Sequence, residues 1–167
     1  MRSVADRAAG LLAPEAIRLD ARAAGRDDAV RLCGQVLVDI GAAEPGYIDA
    51  MLDRERSIST YLGEGVAIPH GTNEGRDLIR RDALAFVRFP EGADWNGEPV
   101  TVCIAIAARG DGHMEILAEL AQALMDPDKA RELREADDPD RILALLDPRA
   151  EEEHTTDPLQ TGQGHTV

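Results

Sequence analysis

A nearly continuous apolar run, Val100 to Ala108, constrains this chain more than any other feature. Its β-branched residues suit a strand, and a strand that is apolar on both sides needs cover on both faces. That places it centrally in a sheet with helices above and below. Leu84 to Phe89 supplies a second strand, and Asn96-Gly97 marks a tight turn before the central run. Val66-Ala67-Ile68, stopped by Pro69, and the alternation Ala16-Ile17-Arg18-Leu19 read as shorter strands. Gly63 and Gly65 bracket a turn ahead of Val66.

Helical periods alternate with these strands. From about Asp27 to Ile40, the residues Val30, Cys33, Leu37 and Ile40 recur at spacings of three and four, giving one buried stripe. Asp27 is placed to cap its start and Gly41 to close its end. Tyr47 to about Arg54 is a second helix, with Arg54, Glu55 and Arg56 expected to face solvent at its end. Gly112 to Met125 follows, carrying Leu117, Leu120, Ala121 and Leu124 on one side, and then Asp128 to Arg134 and Asp140 to Leu146. The expected fold is α/β: a single domain over residues 13–146, a three-layer α/β/α sandwich whose mixed β-sheet is flanked by helices.

With 167 residues, 44% hydrophobic but only 3% aromatic, the core must be built from Ala, Val, Leu and Ile. Apolar content collapses after Leu146. Residues 147–167 hold five acids and one arginine and read as a disordered acidic tail. The net charge is −14, so −10 stays on the rest of the chain. Such acidity argues against non-specific nucleic-acid binding, which depends on Lys and Arg neutralising phosphates, and against docking on an anionic membrane. No apolar stretch approaches the roughly 20 residues that span a bilayer. The apolar run in Met1 to Leu12 is too short for a secretory signal. Cys33 and Cys103, both in apolar segments, are expected as buried reduced thiols. The chain is expected to be cytoplasmic.

Two histidines stand where chemistry is possible. His70 lies between Pro69 and Gly71 at the end of a predicted strand, where the turn restricts its imidazole. The bland alternative is a turn histidine without a role. His113 follows Gly110-Asp111-Gly112 and opens a helix, whose N-terminal N–H groups suit a phosphoryl group. Its bland alternative is an exposed first-turn residue. If Val66 to Ile68 and Val100 to Ala108 are parallel neighbours, both imidazoles reach one edge of the sheet. HExxH, Cys-x-x-Cys, Walker and nucleophile-elbow patterns are all missing from the sequence. A zinc site from His70, His113 and a carboxylate, serving a metal-dependent hydrolase, has no local ligand spacing behind it.

Arg54-Glu55-Arg56, Thr60-Tyr61-Leu62-Gly63 and Val66-Ala67-Ile68-Pro69-His70-Gly71-Thr72 together carry a family likeness. They resemble the phosphoryl-accepting motif of enzyme IIA components of the bacterial sugar phosphotransferase system, mannitol/fructose class. The likeness continues through Phe89-Pro90-Glu91-Gly92, Trp95-Asn96-Gly97 and Ile104 to Ala108, on to His113. Thr60-Tyr61-Leu62-Gly63 resembles the mannitol-specific branch. The resemblance implies a phosphotransferase in which His70 is phosphorylated on Nε2 by the histidine-containing phosphocarrier protein. His113 would lie beside that ring, Arg54 would approach the phosphoryl oxygens, and Thr72 could add a hydroxyl donor. The group would pass to a cysteine of a IIB protein, serving mannitol uptake through the membrane IIC permease, with no metal or cofactor. The chain would be a freestanding IIA protein, and its acidic tail has no counterpart in the family pattern. The alternative within the resemblance is a regulatory, nitrogen-branch or fructose-specific phosphoprotein whose phosphorylation state controls partner proteins.

Overall fold

The central strand is where the apolar run puts it. In the computed structural model, which describes residues 11–109, 118 and 121–146, β5 (Glu98–Ala107) occupies the middle of a sheet. The other strands are β1 (Leu12–Arg18), β2 (Tyr61–Gly63), β3 (Val66–Ala67) and β4 (Ala83–Trp95), and the order is β1-β4-β5-β3-β2. The sheet is mixed. β4 and β5 form an antiparallel hairpin, β1 runs parallel to β4, and β3 runs parallel to β5. Asn96 and Gly97 turn that hairpin with φ of 57° and 95°, the left-handed pair a two-residue turn requires.

Four helices are described in full: α1 (Arg26–Asp39), α2 (Tyr47–Ser57), α3 (Pro127–Glu135) and α4 (Pro139–Leu146). They form two layers, as neighbouring residues of β4 show. Val87 pairs with Cys103 across the hairpin, so both side chains share a face, and the Cys103 thiol meets Cys33 of α1 there. Arg88 takes the opposite face and donates to the carbonyls of Arg134 and Ala136 at the end of α3. On the α1 face the hairpin pairs are Ala83 with Ala107 and Ala85 with Ala105, followed by Val87 with Cys103. Small residues there let the helix layer sit close to the sheet. Phe86 and Leu84 fill the other face with Ile104 and Ile106, so a chain poor in aromatics still closes its core.

Cys33 and Cys103 are free and fully buried, as expected. Burial, with the Cys33 thiol beside it, pushes the Cys103 thiol well above its ordinary range. Among the described residues, no helix is long and apolar enough to cross a membrane.

Several boundaries differ from the sequence expectation. β1 begins at Leu12, not Ala16, and β4 continues past Phe89 to Trp95, with a break in register between Arg88 and Ala93. Pro90, which has no N–H to give the ladder, falls inside that break. β2 and a 3₁₀ helix, Asn73–Leu78, were not expected. Most of the expected helix Gly112 to Met125 lies outside the described residues, which show residues 121–124 as helical. The expected tail, 147–167, lies outside them entirely.

Asp27 does not cap α1. Gly25 holds the cap position, and Asp27 sits in the first turn, where Arg26 and Arg56 each donate to its carboxylate at 3.1 Å. Two guanidiniums compete more strongly for the carboxylate than the helix N–H groups do. The Arg56 hydrogen bond foremost, and then Arg26, hold the Asp27 carboxyl below its usual range. A depressed folded value stabilises the protein above the unfolded pKa and loses that contribution as pH falls through the folded one. Asp27→Asn should therefore cost less than about 1 kcal/mol at neutral pH, because the pair is partly solvated. In acid denaturation series the gap from wild type should close below about pH 4. A gap that persists there would contradict the ion-pair account.

Candidate active site

The parallel pairing of β3 with β5 positions His70. Val66 pairs with Val102 and Ala67 with Cys103; beyond β3 the Ile106 N–H donates to the Pro69 carbonyl at 2.9 Å, and His70 pairs with Ile106. His70 therefore stands where two parallel strands end, the usual location of sites in α/β sheets. The condition set from sequence, that the two apolar runs be parallel neighbours, holds for His70. His113 lies outside the described residues.

The His70 ring is largely buried, and its Nδ1 lies 3.0 Å from the Ile68 carbonyl. A carbonyl can only accept, so the contact calls for a proton on Nδ1, and in the neutral ring the lone pair then lies on Nε2. The turn that orients the ring depends on Tyr47, the first residue of α2. Its hydroxyl accepts from the Gly71 N–H at 2.8 Å and donates to the Ile106 carbonyl at 2.9 Å. A methyl group at Gly71 would lie 2.4 Å from Tyr47 Cε1, which explains why the residue after the histidine is glycine. Burial pushes the Tyr47 phenol up to about 12, so it stays a neutral donor.

Arg54 comes from the last turn of α2, where Nη1 donates to the Ile58 carbonyl just past the helix end. Thr72 caps the 3₁₀ helix by accepting from the Gly75 N–H at 3.2 Å, a bond that does not consume its hydroxyl proton. Arg54, His70 and Thr72 line one cleft of about 570 Å³, together with Ser57, Thr60 and Asn73. A wider hollow of about 620 Å³ lies against α1, bounded by Arg22, Asp28, Arg31 and Leu32. It contains none of the residues expected to carry chemistry, and its Arg31 is paired with Asp28.

Glu55 departs from expectation. It does not face solvent but is 1% exposed, and it organises the cleft wall. Its Oε2 accepts from the Thr60 N–H at 2.7 Å and from Trp95 Nε1 at 2.9 Å, while Oε1 accepts from the Thr60 hydroxyl at 2.6 Å. The Thr60 carbonyl then accepts from the Ile68 N–H at 3.1 Å, so a chain of hydrogen bonds leads from Glu55 to the residue that holds His70. Spacing carried the signal: Tyr47, Met51 and Glu55 recur every four residues on the buried side of α2. The single tryptophan, whose N–H needs an acceptor when buried, was the other clue.

Residues 10–148 match the family model described as phosphoenolpyruvate-dependent sugar phosphotransferase system, EIIA 2. The mannitol-specific phosphotransferase enzyme IIA component of Halalkalibacterium halodurans is 35% identical over 136 residues, covering 81% of this chain and 94% of that protein. The multiphosphoryl transfer protein of Xanthomonas campestris is 42% identical over 134 residues, 80% of this chain, but the chain spans only 16% of that protein's length. In the NMR structure of the complex of enzyme IIAMTL and phosphorylated enzyme IIBMTL from Escherichia coli, one chain superposes with a TM-score of 0.74. It is 36% identical, and the match covers 81% of this chain and 98% of that one. The family model spans every strand of the sheet, and the chain belongs to the EIIA 2 family of the phosphoenolpyruvate-dependent sugar phosphotransferase system, a family of phosphotransferases.

Proposed function

We propose that the chain is a phosphoryl relay: His70 takes a phosphoryl group from the histidine-containing phosphocarrier protein and gives it to a cysteine of a IIB protein. The observation that carries this is the 3.0 Å contact between His70 Nδ1 and the Ile68 carbonyl. With Nδ1–H donating to the Ile68 carbonyl, Nε2 is the nucleophilic nitrogen of a largely buried ring at a cleft. In the first step the Nε2 lone pair attacks phosphorus. A new Nε2–P bond forms as the donor's N–P bond breaks, and the donor ring keeps that electron pair. The Ile68 carbonyl stabilises the positive charge that develops on the His70 ring. In the second step the IIB thiolate forms an S–P bond while the Nε2–P bond breaks, and Nε2 recovers its lone pair.

Phosphoryl transfer asks mainly for positioning and charge stabilisation. Arg54 has guanidinium donors beyond the one given to Ile58, and the Thr72 hydroxyl lines the same cleft. His113 would lie beside the phosphorylated ring, as the family pattern implies. No metal or cofactor takes part in either step. The IIB acceptor is supported by the relative solved with phosphorylated IIB, and mannitol as the sugar by the IIA relatives named for it. Thr60, Tyr61 and Leu62, the branch-like residues, all line the cleft. The relay would operate in the cytoplasm, with the membrane IIC permease reached only through IIB.

Transfer from the labelled protein to purified IIB proteins tests this reading. Loaded from phosphoenolpyruvate through the general components, the chain should discharge fastest to a mannitol-class IIB. Discharge to no IIB would overturn the relay and favour the regulatory alternative. Equal discharge to mannitol-class and fructose-class proteins would overturn the sugar assignment.

A further inference from the structure

We propose that Tyr47 is a positioning residue for His70, its hydroxyl replacing one rung of the ladder between the His70 turn and β5; this rests on the relay reading above. In a regular parallel ladder, a residue donates to one neighbour of its partner and accepts from the other. Ile106 does the first directly, since its N–H donates to the Pro69 carbonyl at 2.9 Å. For the second, the Gly71 N–H would donate to the Ile106 carbonyl. The Tyr47 oxygen stands between those groups, 2.8 Å from the Gly71 nitrogen and 2.9 Å from the Ile106 oxygen.

One residue of β5 thus clamps both neighbours of His70, on one side through a backbone bond and on the other through a phenol. The inserted oxygen sets how far the turn stands off the strand. Because the ring is tied to the Ile68 carbonyl through Nδ1, the direction of Nε2 follows the backbone that this clamp fixes. Tyr47 is 3% exposed, so solvent is a poor substitute for its hydroxyl. The close approach of its ring to Gly71, where a Cβ would come within 2.4 Å, shows that the turn is shaped to receive it. Arg54 leaves the same helix two turns later, so α2 sets both the nucleophile and the cation expected to meet the phosphoryl group.

Tyr47→Phe keeps the packed ring and removes only the oxygen. The Gly71 N–H and Ile106 carbonyl must then close on each other, which moves the His70 backbone, or remain buried and unpaired, which leaves the turn untethered on that side. Misplacing a reacting group by about an ångström costs up to ~100-fold in rate. The test is single-turnover phosphorylation of the full chain by phosphoenolpyruvate, enzyme I and the histidine-containing phosphocarrier. The His70 ring ¹⁵N signals are recorded in parallel. Val36→Ala, a core truncation in α1 away from the cleft, controls for lost stability. Tyr47→Phe should slow transfer roughly tenfold to a hundredfold, leave KM for the phosphocarrier within about twofold, and move the His70 ring signals. Val36→Ala should change none of these. Wild-type rates in folded Tyr47→Phe, or equal slowing in both variants, would overturn the proposal. If the wild type itself takes no label, the relay reading falls and the ring signals alone decide: unmoved signals overturn the positioning role.

Discussion

His70→Ala should leave the chain unable to take up any stable phosphoryl label from phosphoenolpyruvate and the general phosphotransferase components. Wild type should carry one group per chain, labile in acid and stable in base, as a phosphoramidate is. The expectation is total because His70 is the one imidazole among the described cleft residues, and on the relay reading His113 steadies the added charge and does not accept the group. Cys33 and Cys103 are fully buried in the core, and burial keeps the Cys103 thiol protonated. Ser57, Ser59 and Thr60 line the cleft, but a hydroxyl needs a base to become a nucleophile, and a phosphate ester would resist acid. His70→Gln is the better packed companion. Its longer side chain fills more of the space the ring leaves, while its amide nitrogen offers no lone pair to phosphorus. Label retained by either variant would refute the assignment of His70. Loss in Ala with retention in Gln would point to the turn rather than the ring.

The legibility of this protein divides along the range of its interactions. Val100 to Ala108 announced a central strand because apolarity on both faces is a local property of the chain. Asn96-Gly97 announced its hairpin in the same way, through the left-handed torsions those residues tolerate. His70 could be singled out because Pro69 and Gly71 restrict it locally. What stayed hidden depends on partners distant in sequence. Gly71 is legible as a glycine, but its cause is the ring of Tyr47, 24 residues earlier. Asp27 looked like a cap until Arg56 arrived 29 residues later to take its carboxylate. The expected strand stopped at Phe89, and Pro90 and Gly92, which disfavour a regular ladder, lie just beyond it. The register break absorbs them, and the strand resumes to pair Ala93 with Val100.

Glu55 is the residue where that distinction has the largest measurable consequence. Glu55→Ala should destabilise the fold by about 3–5 kcal/mol, a cost typical of breaking a buried polar network from one side. Three donors lose their acceptor at once: the Thr60 N–H, the Thr60 hydroxyl and Trp95 Nε1. None of them is placed to find water, since Thr60 is 5% exposed and Trp95 1% exposed. For a domain of this size the loss corresponds to a fall in Tm of roughly 10 °C or more. Glu55→Gln should cost far less. Its carbonyl oxygen can sit at the Oε2 position and accept both N–H groups, while its amide faces the Thr60 hydroxyl, which rotates to accept instead of donating. The order of the two variants is therefore the test, read by thermal or urea denaturation. Glutamine as damaging as alanine would mean that charge, not acceptor geometry, holds the wall; alanine within about 1 kcal/mol of wild type would mean that the network contributes little. Phosphorylation should follow the same order, because Thr60 passes the constraint through its carbonyl to the Ile68 N–H, and the Ile68 carbonyl fixes the ring of His70. On the relay reading, a carboxylate of the cleft wall thus helps set the nitrogen proposed to carry the phosphoryl group.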